Sequence, residues 1–360
     1  MNQRGGADPA KYSFDELTIW RTKLPKVKHG ILPPSNDRPN PLVTDSMVIT
    51  SIFSPGAVCA LGRETGRLIW RKETSGLLDA AIYEGAGKFF AKTANTLYAM
   101  KPASGEILWT FCPYGTSHEW IYSAPTVHGH SVFIGDRRGF LHCLDVRTGA
   151  TQWRRRTNKA KNDDVNSTPL VLDGLVIVGT NAKRAVAYDV QTGELAWICK
   201  LDGPSEFGPL IFQRLAAIFT DSIYLLEPKT GKIIRRFSWK GDGIKGAVST
   251  PRNIVGELRG KWPPEGKTEL VGVTKTHIQF SNTHDVWERS LRYSRETDLI
   301  YGSHLDGVNL CRPSDGVSIC DIRLNQRHEG VALVGLKKSI IYALTGRGYV
   351  YALRHPPVGR

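Results

Sequence analysis

Residues 187–197 read AYDVQTGELAW, and this stretch decides the fold. It predicts a strand, a tight turn at Thr192-Gly193 and a second strand that ends in tryptophan. The pattern recurs, with glycine four residues before the last position, as ALGRETGRLIW from Ala60, AMKPASGEILW from Ala99, CLDVRTGATQW from Cys143 and LLEPKTGKIIR from Leu225. Self-similarity at roughly 40 residues indicates repeats that bury their apolar faces only against their neighbours.

Each repeat reads as four short strands, most clearly at 168–174, 175–181, 185–190 and 194–201. Apolar residues alternate along these strands, and Gly, Asp and Asn bound them, as in strands joined by hairpins. We therefore predict an all-β, eight-bladed β-propeller with four-stranded antiparallel blades at about 41–74, 78–113, 122–157, 166–201, 206–239, 247–291, 293–324 and 330–354. Seven blades are the alternative, if the sixth and seventh repeats form one elaborated blade.

The eighth repeat lacks its outermost strand, and the orphan segment LTIWRTKL at 17–24 resembles that missing strand. A ring of sheets has to close, because otherwise its first and last blades expose their edges and separate. We predict that 17–24 completes the blade of 330–354, so that 13–360 form a single domain. Residues 1–12 are polar and without period, which predicts a disordered amino terminus.

The turn pattern, the period and the count of eight resemble the PQQ-like, or quinoprotein-type, β-propellers over residues 17–354. The resemblance implies that the signature tryptophans dock each blade onto the next: Trp20, Trp70, Trp109, Trp153, Trp197 and Trp287. In the quinoprotein dehydrogenases the quinone lies between a tryptophan and a vicinal Cys–Cys disulfide, beside a calcium ion. This chain has no adjacent cysteines. We therefore expect no cofactor and a closer likeness to the non-enzymatic scaffold members of the family.

The composition predicts a basic protein of the cytoplasm. Lys and Arg number 48 against 34 Asp and Glu, which gives a net charge of +14. The densest run, Arg154 to Arg156 with Lys159 and Lys161, would attract polyanions, but a solvated outer rim is the simpler interpretation. The six separate cysteines are typical of buried thiols in a reducing compartment, and the first residues hold no apolar signal segment. No apolar run is long enough to span a membrane.

The loops that precede the innermost strands converge on one mouth of a propeller channel, so their polar residues form a candidate site. Carboxylates near a lysine and a histidine in such a funnel would acquire the separated pKa values that acid–base chemistry needs. The candidate catalytic residues are Asp79, Glu206, Lys245, His328 and Glu329. The candidate ligand-binding residues are Arg38, His118, Glu119, Trp120, Tyr122, Asp164, Asn166, Phe207, Arg292 and Tyr293. No metal site is predicted, and the plain alternative is that strand ends are polar because they are solvated.

Three functions remain open at this point. The preferred prediction is a non-catalytic protein-interaction scaffold with protein partners. The first alternative is a cofactor-independent enzyme or small-molecule binder that uses the mouth, and the sequence leaves open whether the protein is an enzyme. The second alternative is a basic propeller associated with nucleic acid or another polyanion.

Overall fold

The structure is a computed structural model that describes residues 9–25, 41–52, 56–74, 82–115, 121, 123–157, 164–238, 242–259, 268–284, 291–304, 307–324 and 331–357. These residues form eight sheets arranged as the blades of an all-β propeller, with one short helix. The eightfold prediction is confirmed, since the sixth and seventh repeats are separate sheets. None of the described helices is long and apolar enough to cross a membrane.

The amino-terminal segment contains β1 (Ala10–Ser13), α1 (Phe14–Leu17) and β2 (Thr18–Lys23). Blades one and two contain β3 (Leu42–Val43), β4 (Met47–Ile52), β5 (Ala57–Gly62), β6 (Leu68–Glu73), β7 (Tyr83–Gly85), β8 (Lys88–Lys92), β9 (Leu97–Met100) and β10 (Ile107–Phe111). Blades three and four contain β11 (Thr126–His128), β12 (Ser131–Gly135), β13 (Phe140–Asp145), β14 (Thr151–Arg156), β15 (Leu170–Leu172), β16 (Leu175–Thr180), β17 (Arg184–Asp189) and β18 (Leu195–Lys200).

Blades five and six contain β19 (Leu210–Phe212), β20 (Leu215–Phe219), β21 (Ser222–Leu226), β22 (Ile233–Ser238), β23 (Asp242–Ser249), β24 (Ile254–Arg259), β25 (Thr268–Val273) and β26 (Ile278–His284). Blades seven and eight contain β27 (Leu291–Ser294), β28 (Leu299–His304), β29 (Gly307–Cys311), β30 (Ser318–Arg323), β31 (Val331–Lys337), β32 (Ile340–Thr345) and β33 (Tyr349–Arg354). In the first seven blades the four strands follow one another from the innermost to the outermost, each antiparallel to the next.

Blade eight closes the ring as the sequence predicts. Its strand order is β2-β33-β32-β31, so the amino-terminal strand supplies the outermost position. The register pairs Trp20 with Ala352 and Thr22 with Val350 in antiparallel fashion. Because the two ends of the chain share one sheet, opening the ring requires breaking that strand pair.

The signature tryptophans join neighbouring blades through the turn glycines. The indole N–H of Trp20 donates to the carbonyl of Arg63 at 3.0 Å, and that of Trp153 donates to Val190 at 3.2 Å. Each ring covers a glycine of the next blade so closely that a Cβ on Gly66 would lie 2.5 Å from Trp20. The glycine is therefore required twice, by its positive φ and by the tryptophan above it.

Blade six uses a different aromatic residue from the one that the resemblance implies. Phe280 lies over Gly316 of blade seven, where a Cβ would come within 2.4 Å of its ring. Trp287, the residue expected at this position, lies outside the described residues. Phe280 takes the role because it stands two residues after the first residue of its outer strand, as Trp197 does in blade four.

The amino-terminal segment also covers the junction of blades seven and eight, and here the predicted disorder of 1–12 is wrong for residues 10–12. They belong to β1, which adds to the outer edge of β30 as a parallel fifth strand, with Ala10 opposite Cys320. Ser13 then caps α1, since its hydroxyl accepts the backbone N–H of Glu16 and the Glu16 carboxylate accepts from Ser13. Phe14 inserts into the apolar cluster shared by the two blades and is 1% exposed.

Candidate interaction surfaces

The strand order defines two faces of the ring. Turns that join the first strand to the second, and the third to the fourth, lie at one end of every blade; this is the turn face. Turns that join the second strand to the third, and the connections between blades, lie at the opposite end; this is the mouth face. All of the candidate site residues from the sequence were assigned to the mouth face.

Most members of that predicted ring lie outside the described residues. These are Arg38, Asp79, His118, Glu119, Trp120, Tyr122, His328 and Glu329, together with the side chain of Lys245. Their roles stay predictions. The described side chains are those of Asp164, Asn166, Glu206, Phe207, Arg292 and Tyr293.

Asp164 and Asn166 lie in the connection from blade three to blade four, in a group of polar atoms at the mouth end of blade four. The Asp164 carboxylate is 3.5 Å from the Asn181 amide nitrogen and 4.0 Å from Arg137. Asn166 Oδ1 and Asn181 Oδ1 are both buried and have no hydrogen-bond partner among the described residues. An unsatisfied buried acceptor indicates a place for an ordered water or a polar ligand. We refer to Asp164, Asn166 and Asn181, with the two hydroxyls described next, as the polar sector.

Two buried hydroxyls extend the polar sector. Within the described ranges, Thr180 Oγ1 and Ser205 Oγ have no hydrogen-bond partner, and both side chains are 0% exposed. Ser205 lies against Gly179 as Val165 lies against Gly135 one blade earlier. A hydroxyl therefore replaces an apolar side chain at this blade junction. An apolar residue would avoid the desolvation cost of the unpaired hydroxyl.

The other described candidate residues lie outside the polar sector. Glu206 is exposed, whereas the neighbouring Phe207 packs edge-on against Phe219, with ring centroids 5.3 Å apart. On blade seven, Arg292 is exposed, and the Tyr293 hydroxyl donates to Asp298 at 2.7 Å. Burial, together with this hydrogen bond, raises the pKa of Tyr293 to about 12. Asp298 belongs to the turn between β27 and β28, so the Tyr293 hydroxyl is directed to the turn face.

A buried carboxylate network at the mouth end of blade three was not predicted from the sequence. Asp136 is 0% exposed and accepts from the Tyr114 hydroxyl at 2.5 Å and from the backbone N–H of Phe140 at 3.0 Å. His142 Nε2 lies 2.6 Å from Asp136 Oδ2, the same carboxylate oxygen that accepts from Tyr114. Burial raises the pKa of Asp136, but the hydrogen bonds from His142 and Tyr114 outweigh it, so the pKa lies below its ordinary value.

Arginines stack on aromatic rings directly above this network. The Arg138 guanidinium lies 4.2 Å from the centre of the Tyr114 ring. Arg154 lies 4.2 Å and Arg156 lies 5.7 Å from the centre of the Phe140 ring. We call these five residues the arginine corner. The register of β13 and β14, which pairs Phe140 with Arg156, is the signal that would have linked the arginine run to its aromatic partner.

A band of exposed aliphatic side chains runs along the outer strands of blades eight, one and two. Ile19, Ile69 and Leu108 each stand directly before a docking tryptophan and are 44%, 52% and 44% exposed, and Leu68 is 44% exposed. Each of the three is skipped in the strand register, as at a β-bulge, and its exposed fraction shows that its side chain meets solvent. We call these four residues the rim band. The sequence alone identifies these positions only as strand residues.

The turn face carries an open cavity of about 580 Å³ between blades four and five. Its lining combines charged and apolar residues, namely Asp173, Arg214, Leu215, Glu227, Pro228 and Lys229. The Glu227 carboxylate accepts from the Thr230 hydroxyl at 2.6 Å, which fixes the turn between β21 and β22. The cavity therefore lies on the face opposite to the predicted mouth site.

These features define a class of protein, a closed propeller whose blades are joined by tryptophan-over-glycine contacts. The sequence profile of the family described as "Outer membrane protein assembly factor BamB" matches residues 12–112 and 93–254. These segments cover more than half of the chain, which belongs to this family of PQQ-like propellers.

Individual relatives are distant. The outer membrane protein assembly factor BamB of Pseudomonas aeruginosa is 28% identical over 137 residues, which cover 38% of this chain and 34% of that protein. The quinohemoprotein alcohol dehydrogenase ADH IIB of Pseudomonas putida is 27% identical over 138 residues, 34% of this chain and 20% of that enzyme. The alignments thus span about a third or less of these two relatives' lengths.

The fold similarity extends further than the sequence similarity. The crystal structure of quinohemoprotein alcohol dehydrogenase from Comamonas testosteroni superposes with a TM-score of 0.72 at 13% identity. The superposition covers 96% of this chain and 78% of that one. At this identity the likeness establishes the shared fold and carries no information about activity.

The residues of this chain do not fit the quinone site that the family resemblance implies. All six cysteines are free, and Cys59, Cys143, Cys199, Cys311 and Cys320 are buried. No two are adjacent in the sequence, so no vicinal disulfide can form. Within the described ranges, no group of three or more His, Cys, Asp or Glu side chains is placed to hold a metal ion.

Proposed function

We propose that this protein is a non-catalytic scaffold that binds an extended segment of a partner protein along the rim band. Its family and its relative from Pseudomonas aeruginosa carry the name of an assembly factor for outer membrane proteins, which supports a role in protein interaction. Its placement in the cytoplasm stays a prediction of the sequence.

The rim band is the observation that carries this proposal. Singly scattered exposed aliphatic residues are normal, whereas apolar residues repeated at one height of adjacent blades form a patch. Trp20 docks on Gly66 and Trp70 docks on Gly105, so blades eight, one and two are consecutive neighbours in the ring. Burying Ile69 and Leu108 in a complex would each contribute about 1.5–3 kcal/mol at most.

The strand edges beside the rim band favour a partner segment in an extended conformation. Among the described residues no further strand pairs with β2, β6 or β10, which leaves rows of backbone donors and acceptors at these edges. Blade seven shows that an outer edge accepts another strand, because β1 adds to β30 through four residue pairs. Strand addition combines backbone hydrogen bonds with apolar side-chain contacts, both of which the rim band offers.

The experiment combines cross-linking with a matched variant. A photo-reactive amino acid at position 69 is expected to trap a partner from an extract of the native cell, whereas one at Ile198 of blade four, which is 46% exposed, is not. The trapped partner is then purified. Its affinity is expected to fall at least about tenfold for Ile69→Lys with Leu108→Lys, because two charges would enter the interface.

The Ile198→Lys variant is the control, and it is expected to bind the partner like the wild type. Equal losses in both variants would show that charge anywhere on the outer strands weakens binding, which would refute the rim band as the site. Unchanged affinity of the double variant would refute it as well. A shift of the wild-type protein itself to a dimer that the double variant lacks would assign the band to self-association instead.

The polar sector supports a second candidate, a small-molecule binder at the mouth face. Its orphaned atoms include two amide oxygens, Asn166 Oδ1 and Asn181 Oδ1, which accept hydrogen bonds, so the ligand would carry several N–H or O–H donors. A thermal-shift screen with amino sugars, polyamines and polyols tests this. The expected result is a stabilising compound whose effect Asn166→Ala abolishes while Asp173→Ala, on the turn face, preserves it. A screen without any such compound would refute this candidate and leave the scaffold proposal untouched.

A further inference from the structure

We propose that the arginine corner binds the phosphate backbone of a nucleic acid, a function that goes beyond the scaffold role and uses a different part of the ring. The corner is formed where β14 ends at the mouth face. Arg156 pairs with Phe140, the first residue of β13, and Arg138 lies in the turn that precedes it. The three arginines therefore lie at the mouth end of blade three.

Arg154 and Arg156 supply the positive charge of the corner that faces solvent. Within the part of the chain that the structure describes, neither Arg154 nor Arg156 forms an ion pair with a carboxylate, and both are exposed. Asp136, the carboxylate of the network, is buried and accepts hydrogen bonds from Tyr114 and two backbone N–H groups. It supports the corner from below and does not compete with an external anion.

The aromatic rings hold the guanidinium groups in fixed planes. Arg138 covers Tyr114, and Arg154 and Arg156 approach the ring of Phe140. Stacking on a ring uses the flat face of a guanidinium, so Arg154 and Arg156 can direct their N–H edges to a phosphate and lose less conformational freedom on binding than mobile side chains. Because arginines cover these aromatic rings, the corner presents guanidinium N–H groups to a ligand. A platform for stacking nucleic-acid bases would instead present the faces of the rings. The chemistry therefore favours phosphate contacts that do not depend on base sequence.

Basic residues continue along the same edge onto blade four. Arg184 pairs with Lys200 at the position equivalent to Phe140 and Arg156, and the exposed Lys183 precedes them in the turn. The docking of Trp153 on Gly193 makes blades three and four neighbours. Successive blades thus present cations at one height, which suits a ligand with regularly repeated phosphates.

The test is a salt titration of binding to two fluorescent DNA duplexes of unrelated sequence. We expect wild-type protein to bind both duplexes with similar affinity. Arg154→Gln with Arg156→Gln should weaken binding at least tenfold at about 50 mM salt and reduce the slope of log K against log salt by about 1.8, since each phosphate contact contributes about 0.9. Lys229→Gln with Lys232→Gln, which removes the same charge from the turn face, should change the affinity less than about twofold.

A third variant tests the stacking itself. Phe140→Leu keeps every charge, so a measurable loss of affinity without a change of the salt slope is expected if the ring pre-orients the arginines. Equal losses in the two double-glutamine variants would mean that only the net charge matters and would overturn the proposal. Absence of wild-type binding to either duplex would overturn it too. Binding to phosphatidylserine vesicles without binding to DNA would assign the corner to a membrane surface and overturn the nucleic-acid proposal.

Discussion

Replacing Phe14 by alanine tests how the amino-terminal segment closes the ring. The side chain is 1% exposed, and its ring meets Tyr351 of blade eight edge-on, with centroids 5.1 Å apart. It also shares an apolar cluster with Cys320 and Ile322 of blade seven. Truncation would leave a cavity between the two blades, and a buried Phe→Ala change costs about 3–5 kcal/mol. We expect a loss of this size in the free energy of unfolding.

Chemical denaturation followed by tryptophan fluorescence measures that loss. Ile19→Ala is the control, because Ile19 lies in the same segment but is 44% exposed, and its loss is expected to stay within about 0.5 kcal/mol. Hydrogen exchange should additionally show faster opening of β30 and β33 in the Phe14 variant. A loss below about 1 kcal/mol for Phe14→Ala would refute the inference that this ring joins blades seven and eight.

The remaining predictions concern a turn glycine and a buried carboxylate. Gly193→Ala should destabilise more than Gly174→Ala by about 1–3 kcal/mol in thermal or urea unfolding. Both glycines have positive φ, but only at Gly193 would a Cβ lie 2.7 Å from Trp153, so equal losses would contradict the docking role. The lowered pKa of Asp136 contributes stability above about pH 4 that is lost as the pH falls through the folded-state value. Asp136→Asn should therefore flatten the acid limb of a plot of unfolding free energy against pH, and an acid limb as steep as that of the wild type would contradict this role of Asp136.

The features that the sequence predicted well depend on local chemistry. In the turn at 189–193, Asp189 Oδ1 accepts from the backbone N–H of Gln191 and Thr192, each at 2.8 Å, and Gly193 has a φ of +67°. Every hydrogen-bond partner in this turn lies within four residues, so the local sequence alone specifies the shape of the turn. Because such turns recur along the chain, the sequence also predicts the number of blades and the need for a closing strand.

The features that the sequence missed depend on contacts between distant residues. The sequence of β1 does not distinguish a parallel edge strand from a disordered tail, because its pairing partner β30 lies near the other end of the chain. Phe280 was overlooked for the same reason, since its role is set by Gly316 of the next blade. The Tyr114–Asp136 hydrogen bond joins the connection after blade two to a turn of blade three, which no spacing rule anticipates.

The outer strands differ from blade to blade in a way that bears on where function lies. Directly before the docking tryptophan, blades eight, one and two carry Ile19, Ile69 and Leu108, whereas blade three carries Gln152 and continues with arginines. Docking between these blades uses the tryptophan and the glycine beneath it, so the exposed position before the tryptophan can vary from blade to blade. An apolar surface and a basic surface can therefore occupy adjacent sectors of one rim. The proposed partner and the proposed nucleic acid would bind side by side, and a variant that abolishes one should leave the other intact.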